Sequence, residues 1–163
     1  MSVAFRREGD DEHLEPKFEI PIPPGPNLVT ARGLHLIKCR VRELEADVAA
    51  LVAEGAEQTR IDSAKRDLRY WQTRQITAEK VPDSSGETVE IGCRVTFRHN
   101  GKERVVTITG DDEADPGSGL ISFSAPLARA LLGAEPGELR DFAGKADALE
   151  ILAIVVVAHD AKA

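Results

Sequence analysis

Seam positions recur in the N-terminal half of the chain at alternating steps of three and four. The first series comprises Leu34, Ile37, Val41, Leu44, Val48 and Leu51, and the second comprises Ile61, Ala64, Leu68, Trp71, Gln75 and Ala78. This spacing is typical of a heptad seam between paired helices. Thr30 is a suitable N-cap, Glu54-Gly55 provides a break, and Pro82 ends the second series. Residues 30–82 are therefore predicted to form an antiparallel coiled-coil hairpin.

From Thr88 onward the pattern changes to that of β-strands. The run VTFRHNGKERVVTITG contains two β-rich segments around Asn100-Gly101, the strongest hairpin-turn signal in the sequence. Further strands are predicted in LISFS, around residues 139–143 and at residues 149–157. The last of these is apolar on both faces, so it is expected to be central in a sheet.

A short helix is predicted between these strands. Ser124 can cap it, Pro126 suits its first turn, where a missing N–H costs nothing, and Gly133 marks its end. Residues 83–163 are thus expected to form a mainly antiparallel sheet domain with one short helix. The predicted fold class of the chain is α+β.

The first 29 residues are charged and then rich in proline (EIPIPPGPN). They contain too few apolar residues to bury a core of their own. We expect residues 1–29 to form a flexible arm or one extended strap.

Charge and cysteine content narrow the functional class. The formal net charge is −7, and phosphate binding needs a basic field, so direct binding to nucleic acid is expected to be weak at most. Cys39 and Cys93 form no C-x-x-C pair, which suits a reducing cytoplasm. The N-terminus lacks an apolar signal segment, and the longest apolar run is too short to span a bilayer. A soluble cytoplasmic protein is predicted.

The acidic loop GDDEADPGSG is the first candidate for a metal site. Counted from Asp111 as an EF-hand loop, Glu113 and Asp115 fall at ligand positions, but Pro116 replaces the required glycine and Ser122 the bidentate glutamate. Proline cannot make the left-handed bend that this position needs. The loop is therefore interpreted as a solvated acidic turn without a metal.

Other candidate residues give weaker signals. The four histidines, His13, His35, His99 and His159, have no ligand spacing, and no catalytic triad is indicated. The basic residues of the second predicted helix could face RNA, although helix-surface charge paired with nearby aspartates is the commoner explanation. They are Lys65, Arg66, Arg69 and Arg74.

One long run resembles a known family. The segment ITGDDEADPGSGLISFSAPLARALLGAEPGEL resembles the C-terminal domain of the bacterial Gre transcript-cleavage and elongation factors. The family pattern is I-x-G-x-x-E-A-D, then I-S-x-x-S-P-φ-A-R-A-L-φ-G, with φ apolar. The matching residues are Ile108, Gly110, Glu113, Ala114, Asp115, Ile121, Ser122, Pro126, Ala128, Arg129, Ala130, Leu131 and Gly133.

The resemblance implies an architecture and a partner. Family members consist of an N-terminal coiled-coil hairpin and an FKBP-like globular domain. The globular domain binds RNA polymerase at the rim of its secondary channel, and the hairpin enters the channel. When the family's polymerase-docking surface is transferred to the matching positions of this chain, the resemblance implies that Ser124, Pro126 and Arg129 contact the polymerase. Ala125 replaces the serine usual in the motif.

The hairpin tip departs from the family pattern. Cleavage-competent members carry G-D-x-x-E-N-A-E-Y or a close variant there, whereas this chain reads VAEGAEQTRIDSAKRDL. The nearby carboxylates are Glu54, Glu57 and Asp62, and a Mg²⁺ site would need them to converge. They are interpreted as surface charges, and stimulation of RNA cleavage is doubtful; a cleavage-competent factor that uses these three residues is the alternative.

The leading hypothesis is a non-enzymatic, monomeric regulator without a cofactor. It binds bacterial RNA polymerase through its C-terminal domain and occupies the secondary channel with a hairpin shorter than that of the cleavage-competent members. An FKBP-type prolyl isomerase is a second hypothesis, but its pocket would need an aromatic lining, for which the domain offers Phe97, Phe123 and Phe142. A third is a coiled-coil oligomer, in which the heptads pair between chains.

Overall fold

The computed structural model of the chain describes residues 18–158. Most of the predicted arm, and also His13 and His159, lie outside the described residues. Within the arm, Asn27–Val29 forms a short strand, β1. Of the two predicted alternatives, these three residues match the extended strap, because their backbone is paired with that of a second strand.

Two packed helices follow β1. Helix α1 spans Ala31–Ala53 and helix α2 spans Gln58–Thr77. Thr30 is the N-cap of α1, as predicted, because its hydroxyl accepts a 3.0 Å hydrogen bond from the backbone N–H of Gly33. The predicted seam lies between the helices, and its most buried members are Ile37, Val41, Leu44 and Ile61.

The second helix ends earlier than predicted. It stops at Thr77, and Ala78–Lys80 forms strand β2, which pairs in parallel with β1. Asn27 explains this ending. Its side-chain N–H group donates to the carbonyl of Arg74 at 2.7 Å and to the hydroxyl of Thr77 at 3.1 Å, so it satisfies a carbonyl that the last helical turn leaves without a partner.

The second half forms a five-stranded sheet in the order β5-β4-β3-β7-β6. The strands are β3 (Cys93–His99), β4 (Lys102–Thr109), β5 (Leu120–Ser122), β6 (Leu139–Phe142) and β7 (Lys145–Val156). Only the β4–β5 pair is parallel among these pairings. The predicted α+β class is confirmed, with two helices preceding a mainly antiparallel sheet. Strand β7 is interior, as expected, although β3 is the middle strand.

The core of the sheet domain lies on one face of the sheet. It is formed by alternate residues of β3 together with side chains from β4, β7 and helix α3 (Pro126–Leu131). Phe97, Ile108, Leu131, Leu149 and Ile151 are fully buried there. The Asn100-Gly101 turn between β3 and β4 has φ angles of 52° and 73°, the left-handed conformation that this dipeptide accepts readily.

The start of α3 differs from the sequence prediction. Ala125, not Ser124, occupies the N-cap position, and no side chain caps the helix. Pro126 lies at the first helical position, as predicted, and Gly133 follows the helix with φ 78°. The Ser124 hydroxyl instead points to a neighbouring turn, because a carboxylate there is a stronger acceptor.

In the part of the chain that the structure describes, no helix combines the length and apolar character needed to cross a membrane.

Candidate functional site

The three predicted docking residues lie together on the surface. Ser124 precedes α3, Pro126 begins it, and Arg129 lies one turn further along; all three are exposed. Ala128 and Leu131, on the opposite face of this helix, are fully buried in the core. A short helix anchored in this way holds the loop at residues 122–126 in a defined position. We call this segment the docking loop after the role predicted for it.

Beside the docking loop lies a 3₁₀ turn formed by Asp111–Glu113. Its three consecutive carboxylates each bind a different element of the structure. The prediction of a solvated acidic turn is wrong here, because Glu113 is only 6% exposed and the side chain of Asp112 only 7%. Buried carboxylates of this kind need partners.

Asp112 binds the end of α2. The Arg74 side chain is 1% exposed, and its Nε donates a 2.6 Å hydrogen bond to Oδ2 of Asp112. The Tyr70 hydroxyl donates to the other oxygen, Oδ1, at 2.7 Å. Burial, and to a smaller extent the hydrogen bond to Asp112, raises the pKa of Tyr70 to about 12. The interpretation of Arg74 as helix-surface charge is therefore wrong: it is a buried partner of the sheet domain.

Glu113 binds the start of α1. The Thr30 hydroxyl lies 2.8 and 2.9 Å from the two oxygens of its carboxylate, and the Gly110 backbone N–H donates to it at 3.2 Å. Gly33 allows this approach, since a Cβ built at that position would lie 2.4 Å from the Oε2 atom of Glu113.

Asp111 binds the docking loop. Its Oδ1 atom accepts hydrogen bonds from the hydroxyl of Ser122 and, at 2.9 Å, from that of Ser124. Its Oδ2 atom lies 3.5 Å from a terminal nitrogen of Arg74. This residue therefore lies between the docking loop and α2.

Together these contacts form a junction, which we define as Thr30, Tyr70, Arg74, Asp111, Asp112 and Glu113. Helix α1 begins and helix α2 ends at the same turn, so the two helices run antiparallel and their connecting residues 54–57 lie at the far end. The junction was not predicted from the sequence. The usable signals were Arg74 four positions after Tyr70, a spacing that puts both on one face of a helix, and the acidic run at Asp111–Glu113.

The far end of the hairpin carries the three carboxylates considered for cleavage. Glu54 and Glu57 are exposed on the connection, while Asp62 accepts a 2.8 Å hydrogen bond from Gln58. Within residues 18–158, no three histidine, cysteine, aspartate or glutamate side chains are grouped so that they could hold a metal ion.

The other basic residues considered above, Lys65, Arg66 and Arg69, are not part of the junction. Arg69 binds Glu19 through two hydrogen bonds of 2.6 and 3.1 Å, and this contact lowers the pKa of Glu19. Arg66 donates to the hydroxyl of Ser63 at 3.2 Å, and Lys65 is exposed. These residues lie on the solvent side of the hairpin, unlike Arg74.

Neither of two surface recesses has an aromatic lining. One, of about 310 Å³, lies between the base of the hairpin and the sheet domain, and the other, of about 470 Å³, lies between the two helices. Phe97 is fully buried in the core, and Phe123 and Phe142 are partly buried and pack against the core residues. These three residues therefore do not supply the aromatic pocket that a prolyl isomerase would need.

Comparison with known proteins matches the second half of the chain to one family. The family described as "Transcription elongation factor, GreA/GreB, C-term" matches residues 84–156. That range contains the acidic turn, the docking loop and α3.

Curated relatives of the chain are named as GreA factors. GreA of Desulfovibrio desulfuricans is 33% identical over 98 residues, which cover 58% of this chain and 60% of that protein. GreA of Thermomicrobium roseum is 34% identical over 91 residues, which cover 56% and 58%. The chain thus spans about 60% of the length of these relatives.

Among solved structures, GreA factor homolog 1 (Gfh1) of Thermus thermophilus is 18% identical with a TM-score of 0.38, covering 80% of this chain and 99% of that chain. The GreA/GreB factor from Nitrosomonas europaea is 19% identical with a TM-score of 0.38, covering 81% and 99%. Residues 84–156 are therefore similar to the C-terminal domain of the GreA/GreB transcription elongation factors.

Proposed function

We propose that this protein is a Gre-family regulator of transcription elongation that binds bacterial RNA polymerase. The sheet domain docks at the rim of the secondary channel through Ser124, Pro126 and Arg129, and the hairpin enters the channel. The protein acts as a monomer in the cytoplasm, where the polymerase is found, and is not itself an enzyme.

The observation that carries this proposal is the exposure of the docking loop on a domain similar to that of the GreA/GreB factors. Pro126 and Arg129 match the family motif and project from a helix whose other face is buried. Exposed residues on a rigid support are suited to binding. The junction next to this loop fixes the base of the hairpin, so a docked domain would also direct the hairpin.

The arrangement of the carboxylates at the hairpin tip favours a role in occupying the channel over a role in RNA cleavage. Holding a catalytic Mg²⁺ requires oxygens that converge at about 2.1 Å. Glu54 and Glu57 are separate exposed side chains, and Asp62 is hydrogen-bonded to Gln58. The proposed activity is therefore regulation by occupancy, without stimulated hydrolysis of RNA.

Binding to purified RNA polymerase tests the proposal. The variant with Ser124→Arg and Pro126→Ala should bind at least about 2 kcal/mol more weakly, since a bulky charge in a packed interface removes its complementarity. The matched control carries Ser118→Arg and Pro136→Ala, which make the same changes at exposed positions elsewhere on the domain. Equal affinity of the two variants, with unchanged circular dichroism, would place the interface elsewhere.

Two other assays address the competing functions. A peptide isomerisation assay at micromolar protein would reveal prolyl isomerase activity, which we expect to be absent. Sedimentation distinguishes an intramolecular hairpin, which gives a monomer, from heptads that pair between chains. A dimer of the free protein would contradict the monomeric part of the proposal.

A further inference from the structure

The Asp111 carboxylate faces two competing sets of donors. Its Oδ1 atom accepts from the hydroxyls of Ser122 and Ser124 in the docking loop. Its Oδ2 atom faces a terminal nitrogen of Arg74 at 3.5 Å. That distance is longer than the 2.7–2.9 Å typical of a hydrogen bond between charged groups.

Arg74 is correspondingly incompletely satisfied. Its side chain is 1% exposed, and the terminal nitrogen that faces Asp111 has no hydrogen-bond partner among the described residues. A buried donor without a partner is costly. A shift of Asp111 toward α2 by less than about 1 Å would give this nitrogen an ordinary charge-assisted bond.

The two serine hydroxyls bind the other oxygen of Asp111, Oδ1. Both approach the same oxygen atom from the docking-loop side, and the Ser122 hydroxyl also lies 2.7 Å from that of Ser124. The side chain of Asp111 is 11% exposed, whereas Ser124 is exposed. A partner surface can therefore reach the serine more easily than the carboxylate behind it.

We propose that Asp111 is a positioning residue shared between the docking loop and Arg74, and that a partner which takes up the serine hydroxyls releases Asp111 to Arg74. The released carboxylate completes the bonding of Arg74 and tightens the junction between hairpin and sheet domain. The partner feature required is a hydrogen-bond acceptor, such as a carboxylate or a backbone carbonyl. This inference deepens the proposed function, because the partner in question is the polymerase.

The base of the hairpin is an effective place for such control. From Arg74 to the start of α2 at Gln58 the helix extends roughly 24 Å, at 1.5 Å per residue. A rotation of about 10° at the junction would move the tip by roughly 4 Å over that length. Docking and the direction of the hairpin are thereby linked through one side chain.

Hydrogen–deuterium exchange of the full free chain tests the inference without polymerase, so its failure is distinct from failure to bind polymerase. The variant S122A/S124A removes both competing hydroxyls. Exchange of the backbone amides at residues 70–77 should slow by about threefold or more. The single variant S124A should show a smaller change in the same direction, and it keeps the test valid if the double variant does not fold.

Two controls separate this coupling from a general effect of the loop. Ser118 donates to Asp115 in the same acidic loop but is not connected to Arg74, so S118A should leave exchange at residues 70–77 unchanged. S122T/S124T retains both hydroxyls and should behave like the wild type. Unchanged or faster exchange in S122A/S124A, or the same slowing in S118A, would overturn the proposal.

Discussion

The Nε atom of Arg74 donates a 2.6 Å hydrogen bond to Oδ2 of Asp112, a residue 38 positions later in the chain. Both side chains are withdrawn from water, at 1% and 7% exposure. A buried ion pair is not a strong source of stability, but removing one member leaves the other charge desolvated and unpaired. The relationship therefore makes the hairpin and the sheet domain energetically dependent on each other.

Replacing Arg74 with methionine should lower the free energy of unfolding by about 3 kcal/mol or more, because Asp112 remains buried without its counter-charge. Urea denaturation followed by the fluorescence of Trp71, the single tryptophan of the chain, measures this directly. The control is Arg40→Met, which breaks an exposed ion pair with Glu43 at 3.3 Å.

The control should change stability by less than about 1 kcal/mol, as is usual for exposed pairs. Similar losses in the two variants would show that the buried pair has no special role. The comparison is matched, because both changes replace an arginine on a helix of the same hairpin.

The single tyrosine should titrate at unusually high pH. Burial and the bond to Asp112 raise the pKa of Tyr70 from 10.0 to about 12. Because folding raises this pKa, the Tyr70 contribution to stability is complete below about pH 10 and is lost as the pH rises through about 12. The ultraviolet absorbance of tyrosinate follows the titration, since the sequence contains one tyrosine.

In the D112N variant the midpoint should move only part of the way back, because burial is the larger cause of the shift. Tyr70→Phe serves as the control for the absorbance signal. A wild-type midpoint near pH 10 in the folded protein would contradict the contact with Asp112.

Replacing Gly33 with alanine should destabilise the protein. Alanine is normally favoured over glycine within a helix by about 1 kcal/mol, but here the added Cβ would meet the Glu113 carboxylate. Displacing that carboxylate breaks its bonds to Thr30 and Gly110, at a cost of roughly 1–3 kcal/mol. Thermal or urea unfolding measures the net loss.

The effect of G33A on the free energy of unfolding should reverse its sign when the Glu113 side chain is absent. An E113A background removes the three atoms nearest to the new methyl group, so G33A should be neutral or stabilising there. If G33A is equally harmful in both backgrounds, its effect does not come from the approach of Glu113.

The protein should not stimulate RNA cleavage in a backtracked elongation complex at neutral pH. Misplacement of a catalytic group by 1 Å can cost about a hundredfold in rate, and Glu54, Glu57 and Asp62 do not converge. It should instead reduce cleavage by a competent Gre factor through competition for the channel. The measurement is the release of short labelled RNA with and without the protein.

The decisive control is the triple variant E54A/E57A/D62A. We expect it to behave like the wild type in the cleavage assay. If the wild type accelerates product release and the triple variant does not, the tip carries out the chemistry and our interpretation of it is incorrect.

Much of the fold could be predicted from the sequence because its signals are local. The three-and-four spacing places Ile37, Val41 and Leu44 on one helical stripe whatever they pack against. Asn100-Gly101 favours its own left-handed turn, so the β3–β4 hairpin was predictable too. The docking residues were found from the motif that contains them; their exposure is a structural finding, and their role stays a prediction.

The tertiary structure alone decided which charged residues are buried. Lys65, Arg66, Arg69 and Arg74 are similar in the sequence, yet Arg74 is the one among them that meets Asp112 across 38 positions. The same holds for the end of α2 at Thr77, where Asn27 of β1 donates to the Thr77 hydroxyl and the following strand, β2, pairs with β1. Local patterns fix helices, strands and turns through nearest-neighbour energetics, whereas desolvation of a charge depends on groups distant in the chain that only the assembled fold brings together.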